Sequence, residues 1–233
     1  MDIGLCVASH INDVDYVVRA EELGYSHAWL ADSQMLWSDC YATLALAAYR
    51  TNSIQLGTGV AITGTRPAPV NAASIASINA LAPGRTFFGV GSGNTARRVM
   101  GFPPQRIKEF ETYIQTLVPL LKGEEVNFEY EGKENLIKHI MPDKGFVNFE
   151  DPIPLYISGF GPKSLAIAGK YGDGAVIGAA RATSMGSMWH MVQAGAREAG
   201  RNLDPGANYY TTALTTMVVL DEGEAIDSDR VKS

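Results

Sequence analysis

Short apolar runs alternate with segments of helical periodicity along most of this chain, and no other feature constrains its fold as tightly. Residues 3–9 are a short apolar run that includes Val and Ile, the signature of a buried strand. Ile11, Val14, Val17 and Val18 then recur at helical spacing, with Asn12 or Asp13 available as a cap and Gly24 as a stop. Residues 27–32, 54–62, 86–91, 154–158, 175–178 and 210–220 repeat the strand pattern. Helical patterns fill the gaps. Asp39 caps one that carries Leu44, Ala47 and Ala48. Residues 67–81 form the next, closed by Pro83-Gly84, and residues 107–121 another, in which Pro119 predicts a kink. Residues 162–171 follow. Met185, Met188, Trp189, Val192 and Ala196 share the apolar face of the last. The rhythm breaks once, within about 123–151. There, residues 126–130 and 136–140 flank Glu131-Gly132-Lys133 and predict an inserted polar hairpin.

Strand and helix in regular turn mean parallel strands joined by crossover helices. An open doubly wound sheet and a (β/α)8 barrel both fit units of roughly 25–35 residues. The turn after the first strand, Ser9-His10-Ile11-Asn12, has no glycine, whereas glycine-rich polar clusters follow strands three, four and five. Chemistry spread over several strand ends is barrel behaviour. Seven strands are visible, so a single barrel domain over 1–233 is expected to be truncated or incomplete at its C-terminus, as a fragment or as a barrel completed by a partner. Exposed parallel edges invite association, so a homo-oligomer is expected.

Composition narrows the function classes. Lys plus Arg number 19 against 25 Asp plus Glu, a formal charge of −6, which argues against a nucleic-acid partner. No run of eighteen apolar residues predicts a membrane span, and the acidic start that enters a strand at once carries no secretory leader pattern. Two cysteines, Cys6 and Cys40, make neither a disulfide framework nor a zinc site, so a cytoplasmic setting is expected. The four histidines show no ligand spacing, and no metal is expected. No serine or cysteine sits in a nucleophile elbow.

The strand ends carry the candidates. Asp32 closes the second strand and would face a barrel mouth. Gly57-Thr58-Gly59-Val60-Ala61 places two glycines in a β-branched strand, a pattern of bulges and of close ligand approach. Gly89-Val90-Gly91-Ser92-Gly93-Asn94 adds short polar donors after the fourth strand, with no helix expected at once, and Arg97 or Arg98 could meet an anion. Ser158-Gly159-Phe160-Gly161-Pro162-Lys163 leads into a helix whose N-terminus, with the amides of Gly159 and Gly161 turned inward, would cradle a phosphate. His10 lies at the first strand end.

These segments, taken with Trp29-Leu30-Ala31-Asp32, Thr65-Arg66-Pro67, Pro83-Gly84-Arg85 and residues 155–174, resemble in order the bacterial luciferase-like family of flavin- and deazaflavin-dependent oxidoreductases. Within it the methylenetetrahydromethanopterin reductase-like branch is most similar. The resemblance implies a luciferase-like (β/α)8 TIM barrel with an insertion before the fifth strand, and coenzyme F420 or FMN bound across the strand ends. It further implies that Asp32 contacts the ring system. Gly59-Val60 would form a bulge with a non-proline cis peptide, Ser92, Gly93 and Asn94 would line ring and ribityl chain, and Ser158, Gly159, Phe160 and Gly161 would hold the phosphate.

Two departures shape the expected chemistry. Some relatives carry an acid where this chain has Asn94, and an amide cannot serve as an acid at neutral pH. The sugar-phosphate dehydrogenase branch has a His where this chain has Ser33. Hydride transfer between reduced deazaflavin and a small organic substrate is the first reading, with Asn94, Asp32 and His10 as candidate catalytic groups. An FMN-dependent monooxygenase and a non-catalytic flavin-binding subunit are the alternatives.

Overall fold

The computed structural model describes residues 1–178, 185–215 and 217–232. Seven parallel strands pair in the order the chain makes them: β1 (Gly4–Ala8), β2 (His27–Ala31), β3 (Gln55–Thr58), β5 (Thr86–Gly91), β8 (Leu155–Ser158), β9 (Gly174–Gly178) and β10 (Tyr210–Leu214). A two-residue strand, β4 (Ala61–Ile62), adds to the end of β5. Helices α1 (Asp15–Glu22), α2 (Cys40–Arg50), α3 (Ala68–Leu81), α4 (Asn94–Val99), α5 (Ile107–Leu121), α6 (Pro162–Tyr171) and α7 (Met185–Glu198) follow successive strands. A short α8 (Asp229–Lys232) comes last.

The period-two alternation of each strand sorts its side chains between two cores. Leu30, Leu56, Phe88, Ile157 and Ile177 face outward. They bury themselves against Leu44 of α2, Ile75 of α3, Ile114 and Leu117 of α5, Leu165 of α6 and Val192 of α7. Each such side chain contributes about 1.5–3 kcal/mol. Trp29, Phe87 and Tyr156 form a second, aromatic core, against which Tyr210 packs. Trp29 and Phe87 lie 4.3 Å apart by ring centre, Phe87 and Tyr156 5.5 Å, and Tyr156 and Tyr210 5.0 Å. His27 of β2 also comes within 5.4 Å of the Tyr210 ring. The sheet therefore curls until β2 and β10 share an interior, although no described strand joins β10 to β1. This is the α/β barrel architecture left open along one side.

Several elements differ from the sequence expectation. Residues 54–62 are not one strand. The ladder stops at Thr58, the Gly59–Val60 peptide bond is cis, and the chain re-pairs only at Ala61. The second hairpin strand is β7 (Lys133–Ile137), not 136–140. Glu131 (φ 51°) and Gly132 (φ 76°) form a two-residue turn with both φ positive, so β6 (Val126–Tyr130) pairs Tyr130 directly with Lys133. The expected strand 210–220 ends at Leu214, where its register with β9 ends, and residue 216 lies outside the described residues. Helix α1 begins at Asp15 with no side-chain cap, since its N-cap position is Val14 rather than Asn12 or Asp13. Asp39 does cap α2, its carboxylate accepting from the N–H groups of Tyr41 and Ala42 at 3.0 Å. Pro119 falls in the last turn of α5, and the helix simply ends after it. No described helix is long and apolar enough to cross a membrane.

Candidate functional site

All seven strands point one way, so their C-terminal ends and the loops beyond them share one face of the sheet. Asp32, one residue past β2, is buried there and fully engaged. Its Oδ2 accepts from Arg66 Nη1 at 2.7 Å and from the Ile62 N–H at 3.1 Å, and its Oδ1 accepts from Gln34 Nε2 at 2.5 Å. Asp32 is thus the counter-charge of Arg66 rather than a carboxylate standing free in the mouth. Arg66 bonds Asp39 Oδ2 as well, at 2.9 Å, and its guanidinium lies 5.1 Å over the Tyr41 ring. Burial opposes the charge on Arg66, but the bond to Asp32 and that carboxylate's charge outweigh it and hold the guanidinium firmly protonated. Behind the pair, Tyr41 donates to Asn71, Asn71 to Tyr113, and Tyr113 to the Arg66 carbonyl. This belt ties α2, α3 and α5 to the strand ends. Burial drives the neighbouring Cys40 thiol far above its ordinary pKa, so Cys40 is an inert core residue.

Between β2 and β5 the glycines of β3 and its continuation pack directly against neighbouring side chains. A Cβ at Gly59 would stand 2.7 Å from Trp29 Cβ, which only glycine avoids. Gly59 donates to the Leu30 carbonyl at 2.7 Å, and the cis bond to Val60 follows. Gly93 sits at φ 67° with Ile62 where a side chain would go, and it starts α4. Helix α4 therefore does follow this strand at once, contrary to the sequence expectation, because a left-handed glycine turns the chain within two residues of β5. Ser92 is half-buried and Asn94, the first residue of α4, is exposed. Arg97 pins two loops: its Nη1 donates to the Gly64 carbonyl at 3.0 Å and its Nε to the Pro103 carbonyl at 2.8 Å. Arg98 is exposed. His10 is exposed beyond β1.

After β8, Ser158 is half-buried, Gly159 buried and Phe160 exposed. The two glycine amides are already engaged. Gly159 N–H donates to the Val176 carbonyl at 3.2 Å and Gly161 N–H to Ser164 Oγ at 3.3 Å. The N–H groups of Phe160, Lys163 and Ser164 have no partner among the described residues, so these, with the helix start, are the donors open to an anion. Around Gly161, a built Cβ meets nothing within 4 Å. A groove of about 320 Å³ lies to the side, between the loop Thr63 to Ala68, Tyr113 of α5 and Phe128 to Tyr130 of the hairpin. Among the described residues no cluster of His, Cys, Asp and Glu could hold a metal ion.

Sequence reasoning does not single out Arg66 or Gln34 as functional. The one available signal was an arginine before an uncharged helix, whose counter-charge had to come from elsewhere in the fold.

An open parallel barrel whose glycine-lined strand ends face a free helix N-terminus defines a class of barrels that act at their strand ends. The luciferase-like monooxygenase family model matches residues 10–230, and the chain belongs to that family. It is 33% identical over 189 residues to the 5,10-methylenetetrahydromethanopterin reductase of Methanolobus tindarius, covering 80% of this chain and 56% of that protein. It is 31% identical to the F420-dependent hydroxymycolic acid dehydrogenase of Mycobacterium tuberculosis, covering 81% and 54%. The coenzyme F420-dependent tetrahydromethanopterin reductase of Methanopyrus kandleri shares the fold, with a TM-score of 0.74 at 23% identity over 92% of this chain and 65% of that one. The chain thus spans little more than half the length of these two curated relatives.

Proposed function

We propose that the strand-end site binds coenzyme F420 or FMN and that the protein is an oxidoreductase moving a hydride between reduced deazaflavin and a small organic substrate. The observation that carries this reading is the pairing, on one face of the sheet, of the strand break at Gly59-Val60 with amides at the start of α6 that have no partner among the described residues. The residues present fit the group. Gly59, Val60, Ser92 and Gly93 offer a flat surface for a ring. Ser158, Gly159, Phe160 and Gly161 shape the phosphate end, where Phe160, Lys163 and Ser164 supply the donors. Relatives named for F420 supply independent support.

When bound, the group supplies the hydride chemistry at its ring. The protein's own side chains orient and exclude water. Asp32, fixed by Arg66, holds the Ile62 N–H beside the cis bond and so sets the strand break. Asn94 stands exposed at the rim and can donate and accept hydrogen bonds toward ring or substrate, without acting as an acid. The groove beside the hairpin offers room for a substrate next to the ring. The family model's own description favours a second reading, an FMN-dependent monooxygenase.

Mixing the protein with reduced F420 and 5,10-methylenetetrahydromethanopterin tests the first reading. Return of oxidised deazaflavin absorbance supports it. Turnover only with reduced FMN and dioxygen transfers the assignment to the monooxygenase. Saturable cofactor binding with no turnover in either assay leaves a binding subunit.

A further inference from the structure

On the cofactor reading above, we propose that Gln34 Oε1 accepts the ring imide N–H of the bound flavin or deazaflavin, and is the contact by which the protein selects that ring edge. Gln34 stands just beyond β2, and its Nε2 donates to Asp32 Oδ1 at 2.5 Å. A carboxylate oxygen can only accept, so the amide's orientation is settled: nitrogen to Asp32, oxygen elsewhere. Asp32 cannot swing aside to change this, being held by Arg66 and by the Ile62 N–H. Gln34 Oε1 is left buried with no partner among the described residues. Native proteins rarely leave a buried acceptor unpaired, because its lost hydration is not recovered.

Among the described residues, three other buried side-chain polar atoms lack partners: Asn79 Oδ1, His139 Nε2 and Tyr209 Oη. Asn79 is interior to α3, His139 follows the hairpin and Tyr209 precedes β10, so none of them lies at the strand ends. Among these four atoms, the Gln34 oxygen is the one just beyond the C-terminal end of a parallel strand. Its surroundings agree. Met35 adopts φ 64°, an uncommon conformation for a residue other than glycine. Met35, Leu36 and Trp37 are 76%, 48% and 44% exposed, so three consecutive large apolar side chains flank the orphaned acceptor. An acceptor bordered by apolar surface suits a planar ring with one N–H on its edge. The isoalloxazine of FMN and the deazaflavin of F420 share that imide.

The test is discrimination against a ring without the donor. Dissociation constants are measured for FMN, for F420 and for their N3-methyl derivatives, with the wild type and with Gln34→Met. The wild type should bind the methylated ring about tenfold more weakly than its parent, the value of one net hydrogen bond. Gln34→Met should bind both equally, at the weaker level. Should that variant fail to fold, the wild type still decides. The N3–H resonance of nitrogen-labelled cofactor should be protected from solvent exchange on binding, and free exchange overturns the proposal. Equal discrimination by both proteins overturns it too, while leaving the cofactor reading intact. Binding of neither ring overturns both.

Discussion

Arg66 and Asp32 form an ion pair closed off from solvent, the guanidinium nitrogen 2.7 Å from the carboxylate with side-chain exposures of 16% and 3%. The second Arg66 nitrogen reaches Asp39, the residue that caps α2. One side chain therefore joins the end of β2, the start of α2 and the segment after the cis bond. Removing one member of such a pair leaves an uncompensated buried charge. Arg66→Met should destabilise the protein by about 3–5 kcal/mol in urea unfolding. Adding Asp32→Asn should recover much of the loss. A single variant as stable as the wild type would show that the pair contributes nothing to the fold.

Glu21 predicts the acid limb of stability. Its Oε1 accepts the N–H groups of Asn52, Ser53 and Ile54 and the Ser53 hydroxyl, at 2.6 to 3.0 Å. Partial burial pushes this carboxyl up, but the four hydrogen bonds prevail and hold it at about 2, below its ordinary 4.5. A lowered folded pKa favours the ionised fold, so this stabilisation is complete above about pH 4.5 and is lost as pH falls toward about 2. The stability gap between wild type and Glu21→Gln should be constant near neutrality and should close across that window. A gap that does not change with pH would contradict the assignment.

Asn94 separates positioning from proton transfer. It is exposed, so Asn94→Ala should leave the melting temperature unchanged. Turnover should fall about tenfold to a hundredfold if the amide orients the reacting atoms. Asn94→Asp should add an acid-dependent limb to the pH profile. Unaltered turnover in both variants would remove Asn94 from the reaction.

The sequence and the structure agree most closely where residues act locally. Buried parallel strands are apolar on both faces, so residues 27–31 and 86–91 are legible as strands in isolation. Glycine pairs mark Gly57 to Val60 as special, but the amino acids alone do not say that the ladder stops at Thr58. The hairpin shift depends on Glu131 adopting a left-handed conformation, which glutamate rarely signals. Helix α4 is six residues long, too short for periodicity to show. The Arg66–Asp32 pair spans 34 residues and exists only once the fold brings the end of β2 to the segment that follows β4. Gln34 is legible only through what it lacks, a partner for one atom, and that requires the folded surroundings.

Cofactor phosphate is proposed to sit at the start of α6, and fluorescence titration of coenzyme F420 and of FMN into wild type and Gly161→Val checks that placement. Gly161 is extended, at φ −126°, and a Cβ there meets nothing within 4 Å, so valine fits the fold but occupies the space before the helix. Wild type should bind one of the two cofactors saturably. Gly161→Val should bind it at least about tenfold more weakly, at an unchanged melting temperature. Equal affinity in the two proteins, or no saturable binding of either cofactor to the wild type, would contradict the account.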